Sequence, residues 1–267
     1  MNHLRTFKRL LGVFIRTSLQ QEAAFRFNFF AKLLNTLIQL AGSLGSLLIL
    51  FSVRTSIGGW SFCQILTVTG VFLLLQSVKN LFMTPSLSAV SGLGGELWTG
   101  EFDFTLLKPI PTQLYMSTKS WSLLSLPDII ISIVIIAIAV RGLDASPGAG
   151  TVLLFTAYLA VALLILYSIM LLLASAAFWY LGTPLLWILN SVIELGRYPV
   201  KIYPIVLKNL LTWVVPIGIM VTFPAEILLG TAGLTELCAG IVVAIVLFLA
   251  ASGFLNVSLR KYSSASS

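Results

Sequence analysis

The chain has 267 residues, of which 58% are hydrophobic and only 9% are charged, whereas charged residues make up about 25% of a typical soluble domain. A soluble fold of this length could not bury so much apolar surface, so the composition indicates a membrane protein. The net charge of +7 does not indicate a nucleic-acid partner, because the cations flank apolar runs and no basic patch is interleaved with stacking aromatic residues.

The first 26 residues form an amphipathic segment. Its apolar residues recur at intervals of three to four and form one helical stripe, which consists of Leu4, Phe7, Leu11, Phe14 and Ile15. Arg5, Arg9 and Arg16 gather roughly 100 to 140° away on the same helix. This pattern predicts a helix that lies in the plane of the membrane surface. The alternative is an ordinary extension of the first span.

Long uncharged runs predict the transmembrane helices. The run from Thr55 to Val78 contains 24 residues without an ionisable side chain, and as a helix it is ~36 Å long, which exceeds the ~30 Å hydrocarbon core of a bilayer. Only helices satisfy their own backbone in lipid, so the predicted fold is an all-α integral membrane protein. Residues 27–259 are predicted to form one transmembrane domain with six spans, at about 27–53, 61–83, 118–140, 151–178, 184–198 and 237–259, before a tail of residues 260–267.

Two parts of this assignment depend on proline. The third span carries Pro127 and Asp128 near its middle. The 49 uncharged residues from Ala145 to Ile193 are too long for one helix, and we divide them near Gly182 and Pro184.

Residues 201–230 are predicted to form a re-entrant helical hairpin. Tyr203 and Pro204 open the segment, and Pro204, Pro216 and Pro224 interrupt it at intervals that would break a straight helix. Such a backbone is tolerated at membrane depth when it is buried against protein. The alternative is a seventh full span, which would move the C-terminus to the outer side.

The distribution of cations predicts the orientation. With both termini cytoplasmic, the inner side collects eleven cations, namely Arg5, Lys8, Arg9, Arg16, Arg26, Lys32, Lys79, Lys108, Lys119, Arg260 and Lys261. The outer side keeps five, namely Arg54, Arg141, Arg197, Lys201 and Lys208. The positive-inside rule therefore favours cytoplasmic termini and an outer hairpin.

The longest polar connection, residues 84–111, contains a short amphipathic segment from Gly95 to Pro109. Its acidic residues are Glu96, Glu101 and Asp103, and its aromatic residues are Trp98, Phe102 and Phe104. The three acids outnumber Lys108, and an anionic leaflet repels acidic residues. This segment is therefore predicted to be a surface for a protein partner, with contact to lipid headgroups as the alternative.

Residue types that carry chemistry are scarce. The chain contains no phosphate-binding loop, no H-E-x-x-H and no G-x-S-x-G motif, and His3 is its only histidine. Cys63 and Cys238 each lie in an apolar segment without metal-ligand spacing. The sequence therefore predicts no catalytic residue, no metal site and no cofactor bound by this chain.

Asp128, near the middle of the predicted third span, is the one carboxylate that cannot easily leave the hydrocarbon. A central Asp costs about 2.5 to 3.5 kcal/mol on insertion scales, so it should face the bundle interior, water or a partner. Its functional interpretation is a polar residue on a translocation path. Its structural interpretation is a helix cap after a break at Pro127, bonded to nearby amides.

This arrangement resembles the permease subunit of a type 2 ABC exporter, in particular the compact six-span permeases of bacteria. The resemblance covers nearly the whole chain. It rests on the N-terminal surface helix, on Gly100–Pro109 between spans two and three, and on Tyr198-Pro199, Ile202-Tyr203-Pro204, Pro216 and Pro224-Ala225 before the last span.

The resemblance implies a division of labour between subunits. The surface helix and a coupling helix between spans two and three would contact an ATPase, through Glu96, Leu97, Trp98, Glu101, Phe102, Asp103, Phe104 and Leu106. Two copies of the ATPase would bind ATP and Mg, and a second permease, identical or homologous, would complete an alternating-access path in the bacterial cytoplasmic (inner) membrane. Tyr203, Pro204, Pro216 and Pro224 would belong to the outer re-entrant hairpin.

Other functions remain open at this point. An ion-coupled secondary transporter would usually carry several intramembrane ionisable groups, and only Asp128 is central. A membrane enzyme would need a catalytic cluster. A non-transporting scaffold would recruit a partner through the same loop.

Overall fold

The computed structural model describes residues 2–24, 26–143, 147–181 and 183–262, with the side chains of 2–9 and 23–29 excepted. The predicted boundary at Gly182 and the side chains of Leu4, Phe7, Arg5, Lys8, Arg9 and Arg26 lie outside the described residues. Within those residues the chain is helical, with one isolated bridge between Ile57 and Trp60 and no strand. The prediction of an all-α protein is confirmed.

Thirteen α-helices follow one another in the described part of the chain. They are α1 Asn2–Ala24, α2 Arg26–Val53, α3 Phe62–Val78, α4 Thr84–Ser91, α5 Glu96–Thr99, α6 Phe102–Leu106, α7 Thr112–Thr118, α8 Leu126–Arg141, α9 Ala149–Ala176, α10 Leu185–Ile193, α11 Ile205–Asn209, α12 Phe223–Leu228 and α13 Leu234–Lys261. Short π-helical and 3₁₀ segments connect several of them.

Five helical segments are long and apolar enough to cross a membrane. They are Phe30–Val53, the segment that begins at Phe62, Leu123–Arg141, Ala149–Ala176 and Leu234–Lys261. A sixth results only if the bent pair Ile205–Val214 and Gly218–Leu228 counts as one span. α3, α9 and the second half of the bent pair form the core, whereas α2, α8 and α13 carry many exposed large apolar side chains. This is the pattern expected when lipid, not water, surrounds the outer helices.

The helices define two ends of the bundle. Cys63, at the start of α3, lies against Gly142 after α8, and Gly240 near the start of α13 lies against Tyr158 of α9. We call this end, which also holds the turn at Gly58 and Gly59, the hairpin end. The opposite end holds α4 to α7, and we call it the loop end.

The second span continues further than predicted. A π-helical turn, Lys79–Met83, joins α3 to α4, so the helix extends to Ser91 and the polar connection begins at Gly92 and not at Thr84. Pro85 lacks the N–H that would bond to the carbonyl of Leu81. That carbonyl instead accepts a hydrogen bond from the backbone N–H of Ser122 at 2.7 Å. A contact from a distant segment therefore removes the penalty for proline within the helix.

The third span begins later than predicted. α7 ends at Thr118, and residues from Lys119 to Ser122 are not helical before a 3₁₀ turn leads into α8. Pro127 and Asp128 lie in the first turn of α8 and not near the middle of a span. The first turn tolerates proline because its N–H groups have no partner within the helix.

The predicted fifth span, 184–198, is not one continuous transmembrane helix. α10 has 9 residues and the following 3₁₀ segment has 4, a length of only ~22 Å. Its start lies beside Ser91 and Gly92 at the loop end, and Ile202 lies against Gly58 at the hairpin end. The chain therefore connects the two ends here as a broken segment.

Residues 205–228 form two helical halves that meet at 80°. The bend packs inward, with Ile217 against Gly196 and Gly218 against Val200. The first limb begins near the hairpin end, because it follows Ile202. The second limb ends near the same place, because it leads to Leu229, which lies near Gly59 and Trp60.

Candidate functional site

The loop between the second and third spans folds into two very short helices, α5 and α6. Gly95 precedes α5 in an extended conformation, and Gly100 separates the helices with a φ of 79°, in the left-handed region that favours glycine. Pro109 and Pro111 follow α6 and prevent its extension. Glycine and proline therefore fix where the two helices begin and end.

One side of this loop faces the protein. Leu97 and Phe102 are fully buried, and the ring of Phe102 lies 5.0 Å from that of Phe178 and 5.4 Å from that of Tyr262. Asp103 lies beside the same tyrosine; burial, and after it the Asp103 carboxylate, raises the pKa of Tyr262. Phe102 was expected to contact a protein partner, but it is buried, because a helix of 5 residues depends on apolar contacts with the bundle to keep its position.

Glu96 also points inward. One of its carboxylate oxygens lies 2.6 Å from Nζ of Lys119, and the other accepts a hydrogen bond from the hydroxyl of Thr105 at 2.8 Å. Burial lowers the pKa of Lys119, and the hydrogen bond with Glu96 and its charge act against that shift. Nζ of Lys108 donates a hydrogen bond to the hydroxyl of Tyr115 next to this pair.

The other side of the loop faces outward, and we call it the loop surface. It consists of the exposed residues Leu93, Trp98, Glu101, Phe104, Leu106 and Leu107. Trp98, Phe104 and Leu107 are 56%, 68% and 81% exposed, an unusual concentration of apolar side chains for a polar connection. Sequence analysis missed Leu93 and Leu107. The spacing of three between Phe104 and Leu107, which places both on one helical face, was the signal for the second.

The N-terminal helix packs beside this loop. Phe14, a member of the predicted stripe, contacts the ring of Tyr115 at 5.7 Å. The hydroxyl of Ser18 accepts a hydrogen bond from the backbone N–H of Trp121 at 3.0 Å, and the carboxylate of Glu22 accepts one from Leu124 at 3.2 Å. Phe14 of the apolar stripe therefore packs against the protein itself. In addition, α1 supplies hydrogen-bond acceptors to the non-helical break before α8.

A polar groove lies between α2, α3 and α8. Asp128 accepts a hydrogen bond from the hydroxyl of Thr36 at 3.0 Å, and Gln39, Gln76 and Asn80 line the same groove. Asp128 is therefore bonded to a side chain of the first span, and no bond to a backbone amide of its own helix is among its described contacts. Its carboxylate also lies in the first helical turn, where negative charge is favourable.

The groove continues toward the broken segment after α10. Gln76 donates a hydrogen bond to Glu194 at 3.2 Å, and Lys79 donates one to the side-chain oxygen of Asn190 at 2.7 Å. Lys79 is only 3% exposed. Its place among the inner-side cations stays a prediction, but its side chain lies inside the bundle beside Asn190 and not in a surface loop. The spacing of three to four among Gln76, Lys79 and Asn80 in an apolar helix was the signal that sequence analysis missed.

The predicted hairpin residues lie at or near the bend. The hydroxyl of Tyr203 donates to the carbonyl of Leu195 at 2.9 Å, and Pro204 begins the first limb. Pro216 lies at the bend between the two limbs, and Pro224 is in the first turn of α12. Glu226, buried on α12, forms an ion pair with Lys201 at 2.5 Å. Among the described residues no group of His, Cys, Asp and Glu could hold a metal ion.

The fold and the distribution of apolar residues define a multi-pass membrane protein. The family model described as ABC-2 family transporter protein matches residues 37–266, which includes the loop surface, the groove and the bent pair of helices. The chain belongs to this family. It is a permease of an ABC transporter, a membrane component that is generally not catalytic.

Membership of the family implies in general that the permease associates with an ATP-binding cassette subunit and forms dimers. No curated protein and no solved structure matches the chain.

Proposed function

We propose that this permease belongs to an exporter and takes its energy from a separate ATP-binding cassette ATPase that docks on the loop surface. The observation that carries the proposal is the exposed apolar side of α5 and α6. Its aromatic and aliphatic side chains project from a loop whose other side is fixed to the bundle. Anchors of this kind dominate the energy of protein interfaces.

The binding chemistry favours a protein over a lipid surface. Glu101 accompanies the exposed Trp98 and Phe104, and acidic groups are repelled by an anionic leaflet. The end of the bundle that carries this loop is the cytoplasmic one, as the positive-inside count requires, and both termini are cytoplasmic. Two ATPase copies bind ATP and Mg; this chain binds neither.

The translocation path lies along the polar groove. Gln39 and Asn80 are exposed within the apolar part of the molecule, where contact with hydrocarbon would cost several kcal/mol for each unsatisfied polar group. Glu194, also exposed, is paired with Arg197 and Gln76. A second permease, identical or homologous, therefore faces this groove, and Asp128 contributes to its polar lining. The bent pair of helices acts as a re-entrant hairpin on the outer side.

Docking is tested with the double variant Trp98→Ala/Phe104→Ala. The full chain is co-expressed with the ATP-binding subunits encoded beside it, and the complex is purified through the permease. Loss of two interface anchors at ~2 kcal/mol each should reduce the bound ATPase by well over tenfold. Trp213→Ala is the matched control, because Trp213 is a similarly exposed tryptophan on the bent pair at the other end of the molecule.

An unchanged amount of ATPase bound to the double variant would contradict the docking site. The orientation is tested separately by labelling a Trp98→Cys variant in which Cys63 and Cys238 are replaced by serine. A membrane-impermeant maleimide should reach this cysteine only in inverted vesicles. Labelling in intact cells would place the loop on the outer side and refute the proposal.

A further inference from the structure

The two loop helices are too short to maintain their own conformation. α5 has 4 residues and α6 has 5, and isolated helices of fewer than about 12 residues are marginal in water. Tertiary contacts must therefore fix how the loop surface is oriented relative to the spans. Phe102 supplies apolar contacts toward the ends of α9 and α13, through Phe178 and Tyr262.

A different contact connects the loop to the third span. Glu96 of α5 forms an ion pair with Lys119. Its side chains are only 19% and 7% exposed. Both oxygens of Glu96 are engaged, one by Lys119 and the other by Thr105 of α6. Glu96 therefore joins α5 to α6 and to Lys119 at the same time.

Lys119 occupies a specific place in the chain. It follows the last residue of α7 and begins the non-helical segment that leads into α8. Ser120 of that segment is hydrogen-bonded through its backbone to the hydroxyl of Ser86 on α4, and Ser122 to the carbonyl of Leu81. The segment is thus held against the second span while it carries α8, and α8 carries Asp128 of the polar groove.

The ion pair differs physically from the apolar contacts of the loop. Apolar side chains are non-directional and can slide past one another. A buried ion pair has one favourable geometry, and separation leaves an uncompensated buried charge. A displacement of α5 would therefore carry Lys119 with it and would not break the pair.

We infer that the Glu96–Lys119 ion pair is the link through which movement of the docked loop reaches α8 and the polar groove. Both side chains are positioning residues for coupling and make no contact with the ATPase. The inference rests on the proposed function, because it requires an ATPase on the loop surface.

The test measures whether nucleotide binding to the ATPase changes the polar groove, so the transported substrate does not need to be known. A reporter cysteine replaces Gln39 in the groove, with Cys63 and Cys238 changed to serine, in the complete complex with its ATPase. A maleimide labels the reporter with and without a non-hydrolysable ATP analogue. In the parent complex the analogue should change the labelling rate. Glu96→Gln and Lys119→Met should each reduce this response about fivefold or more, the lower range of coupling between sites.

Three further variants separate coupling from a merely structural role. Lys119→Arg keeps the charge and should keep most of the response. The double variant Glu96→Gln/Lys119→Met should be no worse than either single variant, because partners in one interaction are not additive. Thr105→Val removes one hydrogen bond from Glu96 but keeps the ion pair, so it should keep most of the response.

Several outcomes would overturn the inference. They are an unchanged response in Glu96→Gln and Lys119→Met, additive losses in the double variant, loss of the response in Thr105→Val, or loss of bound ATPase from a folded Lys119→Met variant. The last would show that the pair maintains docking and does not transmit movement. Failure of the proposed function looks different, because the parent permease itself would then recover no ATPase.

Discussion

The second limb of the bent pair and the loop between the second and third spans differ in how far their apolar side chains are buried. At the hairpin end, the limb from Gly218 to Leu228 is almost entirely buried against α3 and α9. At the loop end, Trp98, Phe104 and Leu107 are exposed although they belong to helices of similar length. Each end also has a Lys–Glu pair, but Lys201 is 47% exposed whereas Lys119 is only 7% exposed.

This difference shows which apolar side chains find their contacts within the chain and which do not. The second limb of the bent pair finds its apolar contacts within the same chain, whereas the first limb leaves Trp213 and Val214 exposed on the outer surface of the bundle. The loop end uses buried contacts only to hold a surface in place and leaves the surface itself without a partner. The comparison therefore supports the proposed docking site at the loop end.

The largest expected effect on stability distinguishes the buried side of the loop from its exposed side. Phe102→Ala should destabilise the folded permease by about 3 to 5 kcal/mol, because it leaves a cavity between Phe178 and Tyr262. Phe104→Ala, two residues away and 68% exposed, should change stability by less than about 0.5 kcal/mol. Unfolding of the purified proteins in detergent measures both.

Equal destabilisation by Phe102→Ala and Phe104→Ala would remove the distinction between an inner and an outer side of the loop. In that case the exposed surface would not be a separate binding face.

A smaller effect tests how tightly the hairpin end is closed. A Cβ atom at Gly196 would lie 2.6 Å from Cγ2 of Ile217 and 3.4 Å from Cγ2 of Val221. Gly196→Ala should therefore destabilise by about 1 to 3 kcal/mol through overpacking. Gly253→Ala in α13 is the control, since nothing lies within 4 Å of its Cβ position, and it should be neutral or stabilise by up to about 1 kcal/mol. A neutral Gly196→Ala would mean that the bent helices are loosely held.

The sequence predicts the parts of this fold that depend on the length of an apolar run. α2, α9 and α13 lie close to their predicted limits because uncharged stretches of more than 20 residues have few alternatives to spanning. The family resemblance, drawn from the motifs at Gly100–Pro109 and around the hairpin prolines, is confirmed by the match over residues 37–266.

The parts that could not be predicted depend on contacts between distant residues. The break before α8 is held by Ser18, Glu22 and Lys32, which lie about a hundred positions away in the chain. Continuation of the second span past Pro85 depends on Ser122. Neither contact has a signature in local periodicity.

The candidate site illustrates the same limit. A helix of 4 or 5 residues is too short for an apolar period, so sequence analysis could not separate the buried Leu97 and Phe102 from the exposed Trp98 and Phe104. The residue types of a binding loop were predictable, but the side that faces the partner was not.

The smallest effect on stability is expected at Asp128, on the polar groove between the two ends. In Asp128→Asn the side-chain oxygen still accepts the hydrogen bond from Thr36. The variant loses the favourable interaction of a carboxylate with the first helical turn, ~0.3 to 1 kcal/mol, and the attraction between that charge and the ammonium group of Lys32. The folded complex should therefore remain intact by size-exclusion chromatography, while transport should change modestly if the groove is the path.

Asp128→Ala provides the comparison, because it also removes the acceptor for Thr36 and should cost a further ~1 to 3 kcal/mol. If both variants lost the folded complex, Asp128 would be needed chiefly to hold the first and third spans together. A stable Asp128→Asn variant with altered transport would instead assign the carboxylate to the path. Removal of the carboxylate charge distinguishes a structural role from a role on the path. The hydrogen bond from Thr36 needs only an oxygen acceptor, whereas a polar path is sensitive to the charge itself.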